Sequence, residues 1–336
     1  MYIEKINIEN YKCFHGKFSL ELNPTVNILV GNNESGKSTI LEAINLALTG
    51  IINGRYLRNE LTPYLFNSQT VHQYVHSLTT PNKQAPPTIC IELYFQGEEL
   101  ASFKGNGNSE RQNRCGLMLK TEFDSDYQPE YEALISSGSL KTVPIEYYRI
   151  IWQSFDRNAI TSRSIPLKAV LIDSSSTRYQ NGSDVYISRI IQADLDDADK
   201  AAISQEYRKM RESFGEAEAV KAINERIESK SKISDKSLSI SVDLDTYNSW
   251  QTTLMTFLDD IPFHQIGKGE QCIIKTNLAL GHRKSQEANL ILLEEPENHL
   301  SHARLNQLLA NIETECENKQ ITVDPLVKTN NQLILI

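Results

Sequence analysis

Residues 31–39 read GNNESGKST. An apolar run, Val26, Ile28, Leu29 and Val30, precedes them, and a helical spacing of apolar residues, Ile40, Leu41, Ala43, Ile44, Ala47 and Leu48, follows. Strand, glycine-bounded loop and helix in that order predict an α/β fold built on a phosphate-binding loop, since Gly31, Gly36, Lys37 and Ser38 fit G-x-x-x-x-G-K-[ST]. Each residue type has a chemical reason. Glycine at both ends lets the backbone curl so that its N–H groups point inward at anionic oxygens. The helix that starts behind the loop adds the positive end of its dipole. Lys37 is the cation for the β- and γ-phosphates, and Ser38 offers a hydroxyl to Mg²⁺. Asn32, Asn33, Glu34, Ser35 and Thr39 complete the loop. The expected cofactors are ATP and Mg²⁺.

Composition narrows the class. The 336 residues carry 34 Lys+Arg against 43 Asp+Glu, a formal charge of −9. That excludes a uniformly basic nucleic-acid surface and leaves room for a local basic groove. Charged residues at 23% and hydrophobic residues at 40% are ordinary globular proportions, which exclude wholesale disorder. The five cysteines, Cys13, Cys90, Cys115, Cys272 and Cys316, include no C-x-x-C pair, so reduced thiols without a disulfide frame or zinc site are expected. No stretch approaches the ~18–20 apolar residues that span a bilayer, and the first residues lack a signal pattern. A cytoplasmic protein with no membrane partner is the expectation.

Around the loop, Ile3, Ile6 and Ile8, and then Phe18, Leu20 and Leu22, are spaced as two strands. They predict an antiparallel β ribbon laid against a central mixed sheet. Gly50 is placed to stop the first helix as its C-cap. Residues 51–87 are irregular and read as an insertion. His72 and His76 there have the i,i+4 spacing of metal ligands, but with no third ligand nearby they read as two surface histidines. Strands are expected at residues 88–95, around Leu117 and Leu119, at 146–152 and at 167–173. From about 185 to 231 the pattern is helical and charged. Its acidic cluster, Asp194, Asp196, Asp197 and Asp199, suits a helix start better than a calcium loop. Leu238, Ile240, Val242 and Leu244 alternate as another strand. The expected organisation is residues 1–180 as the N-terminal core, 181–235 as an inserted helical arm and 236–336 as the C-terminal core.

A phosphate loop alone hydrolyses nothing; an acidic group near Mg²⁺ and a group that orients water are also required. Residues 289–295, NLILLEE, supply both at the end of an apolar strand expected beside the loop-bearing strand. Ligands bind at that C-terminal edge of parallel sheets. Because successive strand residues point opposite ways, Glu294 is assigned to the Mg²⁺ shell through water. Glu295, with Lys37, is assigned to the chemistry, polarising the attacking water.

IENYKCF near the start, GNNESGKST, the segment GKGEQ at 267–271 and LILLEEPENHL together resemble the ABC-type ATPase heads of the SMC, RecF and OLD (overcoming lysogenization defect) group. The doubled glutamate followed by Pro-Glu-Asn-His-Leu is most similar to OLD proteins. The resemblance implies an ABC-type head that dimerises, or forms a higher homo-oligomer, with ATP between the phosphate loop of one copy and the signature segment of the other. Gly267, Lys268, Gly269 and Glu270 would then approach the γ-phosphate in trans from a helix starting near Glu270. Lys268 either supplies a contact that Gly267 lacks or faces solvent. By the same resemblance Lys12 touches the nucleotide's phosphates or sugar, and Gln96 senses Mg²⁺. The implied activity is ATP hydrolysis gating a nuclease on DNA, in antiviral defence. OLD proteins carry a TOPRIM nuclease domain, for which no pattern stands in these residues, so nuclease activity is not expected of this chain alone and is assigned to a further domain or a partner. Residues 320–325, QITVDP, lack the histidine of the family's switch, which implies weak hydrolysis. The alternative is an ATP-held scaffold or sensor subunit of a defence or DNA-repair complex, with little turnover. DNA contact is expected but indirect; Arg111 and Arg114, or Lys230, Lys232 and Lys236, read first as solvated surface.

Overall fold

A computed structural model describes residues 1–32, 34–97, 101–138, 140–173, 179–180, 183–184, 195–230, 240, 250, 255–281, 288–295, 299–317 and 332–335. The chain opens with strands β1 (Tyr2–Glu9), β2 (Lys17–Glu21) and β3 (Val26–Ile28), then helix α1 (Lys37–Thr49). Helix α2 (Ser68–Ser77) leads to β4 (Ile89–Gln96), β5 (Arg114–Phe123), β6 (Tyr148–Ser154) and β7 (Ala169–Asp173). Three helices follow, α3 (Asp197–Glu216), α4 (Glu218–Lys230) and α5 (Lys268–Gly281). The C-terminal part adds β8 (Leu290–Glu294), α6 (His302–Glu317) and β9 (Gln332–Leu335).

The class is α/β, and the sheet expected as mixed is divided in two. One sheet is antiparallel, in the order β2-β1-β4-β5 with β6 on the far side of β5. The sequence's ribbon is its edge, with Ile6 opposite Leu20 and Ile8 opposite Phe18. The other sheet is parallel, in the order β7-β8-β9-β3. Here the expectation needs correcting: β8 does not lie beside the loop-bearing strand β3, because β9 is inserted between them and pairs with both. A four-residue strand that far along the chain carries no local sign of its neighbours.

Helix α1 sits at the centre of the fold. Ile40, Leu41, Ala43, Ile44, Leu46, Ala47 and Leu48 are all buried, so the helix is apolar around most of its circumference, as a core helix must be. They share one core with Ile3, Ile6 and Ile8 of β1, Ile91 and Leu93 of β4, Leu117 and Leu119 of β5, and Leu290 and Leu292 of β8. Each leucine or isoleucine among them stabilises the fold by roughly 1.5–3 kcal/mol on burial. The one polar stripe on α1 is Ser38, Glu42, Asn45 and Thr49. Gly50 caps the helix as expected: its φ is 69° and its N–H donates to the Leu46 carbonyl at 2.8 Å.

Contacts group the chain into two compact units, Met1–Ser175 with Arg283–Ile336, and Ser176–His282. The second unit takes in residues 267–270, which the sequence reading placed with the C-terminal core, and extends well beyond 181–235. Within it, Asp196 caps α3: its carboxylate accepts from the Asp199 N–H at 2.7 Å and Asp199 accepts in return from the Asp196 N–H. The acidic residues described there are therefore a helix start. Asp194, the run at 321–323 and, apart from Ile240, the strand expected at 238–244 lie outside the described residues.

Candidate nucleotide-binding site

The loop after β3 is folded tightly on itself. A Cβ on Gly31 would meet Ser35 Oγ at 2.6 Å, and Gly36 has a φ of +95°, a conformation that costs side-chain-bearing residues steric energy. Glu34 also takes a positive φ, 67°. The Ser35 N–H donates to the Asn32 carbonyl at 3.2 Å. Lys37 arches back over the loop, its Nζ donating to the carbonyls of Gly31 at 2.8 Å and Asn32 at 3.1 Å. The ammonium is thereby held above the curled backbone. Ser38, exposed, is the second residue of α1, and Thr39 accepts a weak contact from Cys13 Sγ at 3.6 Å. Gly36 caps the helix without a side-chain bond and the first turn holds no acidic residue. The donors of that turn are left to an anion. Asn33 lies outside the described residues.

The parallel order brings the acidic strand to the same edge. Strands β3, β8 and β7 run in one direction, so the loop, residues 294–295 and residue 173 all leave the sheet at its C-terminal side. Asp173 is the register partner of Glu294, a third acidic position that the sequence reading passed over. Both glutamates are half-buried. Glu295 lies just past the strand with a φ of 45°, so strand alternation, used above to give the two glutamates different tasks, does not set its direction. A left-handed residue costs about 1–2 kcal/mol when it has a Cβ, and outliers of this kind concentrate at functional sites.

The other assigned residues fall in different places. Gln96 is paired with Tyr2, whose hydroxyl donates to its side chain, at the far end of β1 from the loop-facing corner. Seven steps of strand, on the order of 23 Å, separate Tyr2 from Glu9, and the corner that touches Gly36 lies beyond Glu9. Gln96 is therefore not brought to the phosphate loop, and its assignment to Mg²⁺ is withdrawn. Lys12 sits in that corner, with Nζ 2.6 Å from a Glu42 carboxylate oxygen on α1. Gly267, Lys268 and Glu270 are exposed on the second unit. The carbonyl of Gly267 accepts from the N–H groups of Glu270 and Gln271, both at 3.0 Å, so α5 starts at Lys268, slightly earlier than expected. Buried Gln271 donates to the carbonyls of Phe263 and Ile266 and fixes the approach to that helix. His72 and His76 are exposed on α2, and among the described residues no group of three metal-ligating side chains occurs. A cavity of about 910 Å³ lies at the opposite, C-terminal end of α1, bordered by Gly50, Leu57 and Trp152.

A glycine-walled loop, a helix N-terminus and carboxylates at one edge of a parallel sheet define an α/β protein of the phosphate-loop class. Residues 5–321 match the AAA domain family, and the chain belongs to it. Among curated proteins, structural maintenance of chromosomes protein 6 of Saccharomyces cerevisiae is 51% identical over 47 residues, 14% of this chain and 4% of that one. The chromosome partition protein Smc of a Synechococcus species is 40% identical over 68 residues, 20% and 6% of the two chains. The DNA replication and repair protein RecF of Clostridium botulinum is 29% identical over 99 residues, 30% and 26%. The matched stretches thus span at most about a quarter of these relatives' own lengths. Similar solved structures include the recombination mediator RecF with ATP (11% identity, TM-score 0.44, 100% of this chain and 93% of that one). An Smc head bound to the C-winged helix domain of ScpA is another (14%, TM-score 0.43, 100% and 89%). Among the described residues no helix is long and apolar enough to cross a membrane.

Proposed function

We propose that this chain is the ATP-binding and hydrolysing head of a DNA-acting machine of the SMC and RecF type. More narrowly, it serves an OLD-like system in which an ATP-closed homodimer gates a nuclease. The observation that carries the reading is the meeting of two distant segments at one sheet edge: the loop leaving β3, and Glu294 and Glu295 leaving β8. Lys37 is already poised over the loop by its carbonyls; a triphosphate takes over that ammonium. Backbone N–H groups of the loop and the first turn of α1 bind the phosphate oxygens. Ser38 directly, and Glu294 through water, would hold Mg²⁺, which neutralises phosphate charge. Glu295 polarises the water that attacks the γ-phosphorus, and Lys37 stabilises the leaving oxygens. Gly267, Lys268 and Glu270, exposed at the N-terminus of α5, face the second copy's nucleotide together with Gly269.

The names of the relatives support chromosome or DNA-repair work, and LILLEEPENHL supports the OLD assignment, with antiviral defence as its setting and the nuclease in a further domain or a partner. The competing reading, an ATP-held scaffold or sensor, draws on the missing histidine at 320–325. ATP titration followed by size measurement and phosphate release separates the two. A dimer that forms with ATP and dissolves as phosphate is released supports the proposal. A dimer that persists without phosphate release supports the scaffold, and no change in either quantity overturns both.

A further inference from the structure

Beside the phosphate loop lies a half-buried clamp centred on Glu42, a residue given no role above. Tyr11, 1% exposed, donates its hydroxyl to the Glu42 carboxylate. Lys12 donates to the same carboxylate, with Nζ 2.7 Å from Oε2 and 2.6 Å from Oε1. Burial first, and then the charge of Glu42, push the Tyr11 hydroxyl's pKa up, which keeps it a donor. Lys12 has a φ of 48°. Its N–H donates to the Leu65 carbonyl at 2.9 Å, and its carbonyl accepts from Asn67 Nδ2 at 2.8 Å. A left-handed residue is thus tied at its N–H, its carbonyl and its ammonium. The next two residues form a wall of the phosphate loop. A Cβ on Gly36 would lie 2.8 Å from both Cys13 Sγ and Phe14 Cζ. Glu42 is four residues after Ser38, one turn along the same polar stripe of α1.

We propose that Glu42 is a positioning residue for the triphosphate: by clamping Tyr11 and Lys12 to α1 it presses Cys13 and Phe14 against Gly36 and keeps the phosphate loop in its receiving shape. This rests on the ATP-binding reading of the loop and adds to it a part that touches no phosphate. The physical case is that a strained corner persists only when its surroundings over-determine it. Charge-assisted bonds to one carboxylate are the strongest ties available there. Removing the carboxylate frees the Lys12 ammonium to water, the corner relaxes, and Gly36 loses its wall.

The test uses the full chain with wild type, Glu42→Gln, Glu42→Ala, Lys12→Met and Lys37→Ala. ATP affinity is measured for each by titration calorimetry, with melting temperature as a check on folding. Cys13 alkylation by iodoacetamide is followed by peptide mass spectrometry. Glu42→Ala and Lys12→Met are each expected to weaken ATP binding about tenfold, and a variant carrying both changes is expected to lose no more than the more affected of the two, because the two side chains act as one unit. Glu42→Gln, which still accepts from Tyr11, falls between. Cys13 is expected to alkylate faster in Glu42→Ala than in wild type without ATP. A simple loss of packing stability would leave that ratio and the non-additivity unmoved. Equal ATP affinity and equal Cys13 labelling in wild type and Glu42→Ala overturn the inference while leaving the loop's function intact. Absence of ATP binding by wild type itself, with no difference from Lys37→Ala, overturns the functional reading instead.

Discussion

At the scale of single residues, two glycines and two glutamates carry the sharpest expectations. Gly36→Ala introduces a Cβ at a φ of +95° and 2.8 Å from Cys13 Sγ and Phe14 Cζ. The backbone term alone is about 1–2 kcal/mol, and the contact forces either the loop or the corner to move. ATP affinity is expected to fall more than tenfold with a melting temperature only slightly lowered, because the loop is at the surface. Gly31→Ala meets the more yielding Ser35 side chain and should be milder. Glu295→Gln keeps the same backbone requirement at a φ of 45°, since neither side chain prefers that region, so the substitution changes charge and little else. It is expected to bind ATP as wild type does and to release phosphate at least about a hundredfold more slowly; single-turnover phosphate release measures it. The phosphate loop was legible because its residues act within nine positions of one another. Gln96 was misplaced because its location depends on which way β4 runs against β1. Glu42 carried no assignment, although an acidic residue four positions after the loop serine, the one charge in the helix beyond Lys37, is a readable signal.

At the scale of elements, α1 couples chemistry at one end to packing at the other. Its C-terminal turn is sealed by Trp152 of β6, whose indole N–H donates to the Ala47 carbonyl at 2.9 Å and whose ring lies 3.0 Å from the Cβ position of Gly50. Trp152→Ala removes ring and bond together and is expected to cost about 3 kcal/mol; Trp152→Phe, which loses mainly the bond, about 1 kcal/mol. Because the helix is about 20 Å long, ATP affinity should be unchanged in both, while thermal unfolding separates them. The helix itself was readable from its apolar spacing and its glycine cap, both local properties. The sheet order was not. A parallel strand is buried on both faces and looks alike wherever it sits, so nothing in residues 290–294 says that β9 intervenes before β3. The left-handed turn at Glu295 was hidden for a related reason: a glutamate after an apolar run reads as the strand's end whichever way the chain then bends.

At the scale of the whole molecule, the open matter is whether residues 267–270 act on the nucleotide of another copy, and Gly267 offers a clean way to decide. A Cβ there meets nothing within 4 Å, and the residue precedes the first turn of α5, where an aspartate side chain can accept from helix N–H groups. Gly267→Asp should therefore fold as stably as wild type or slightly more so. Its own phosphate loop is untouched, so ATP binding by the single chain should persist. If the segment faces a partner's γ-phosphate, however, the new carboxylate is opposed to the most negative group of the ligand, and ATP-driven dimerisation and hydrolysis should both fall at least about tenfold. Mixing Gly267→Asp with Lys37→Ala then becomes decisive. Each variant alone lacks both composite sites of its dimer, whereas the mixed dimer pairs an intact loop from the first with an intact segment from the second at one of its two sites. Partial recovery of phosphate release on mixing is expected. If neither dimerisation nor hydrolysis responds to Gly267→Asp, the segment does not act in trans and the two-chain site is lost as an explanation. If the mixture stays as inactive as its components although Gly267→Asp alone is impaired, hydrolysis requires both sites to close together, the behaviour expected of a clamp that fires as a unit.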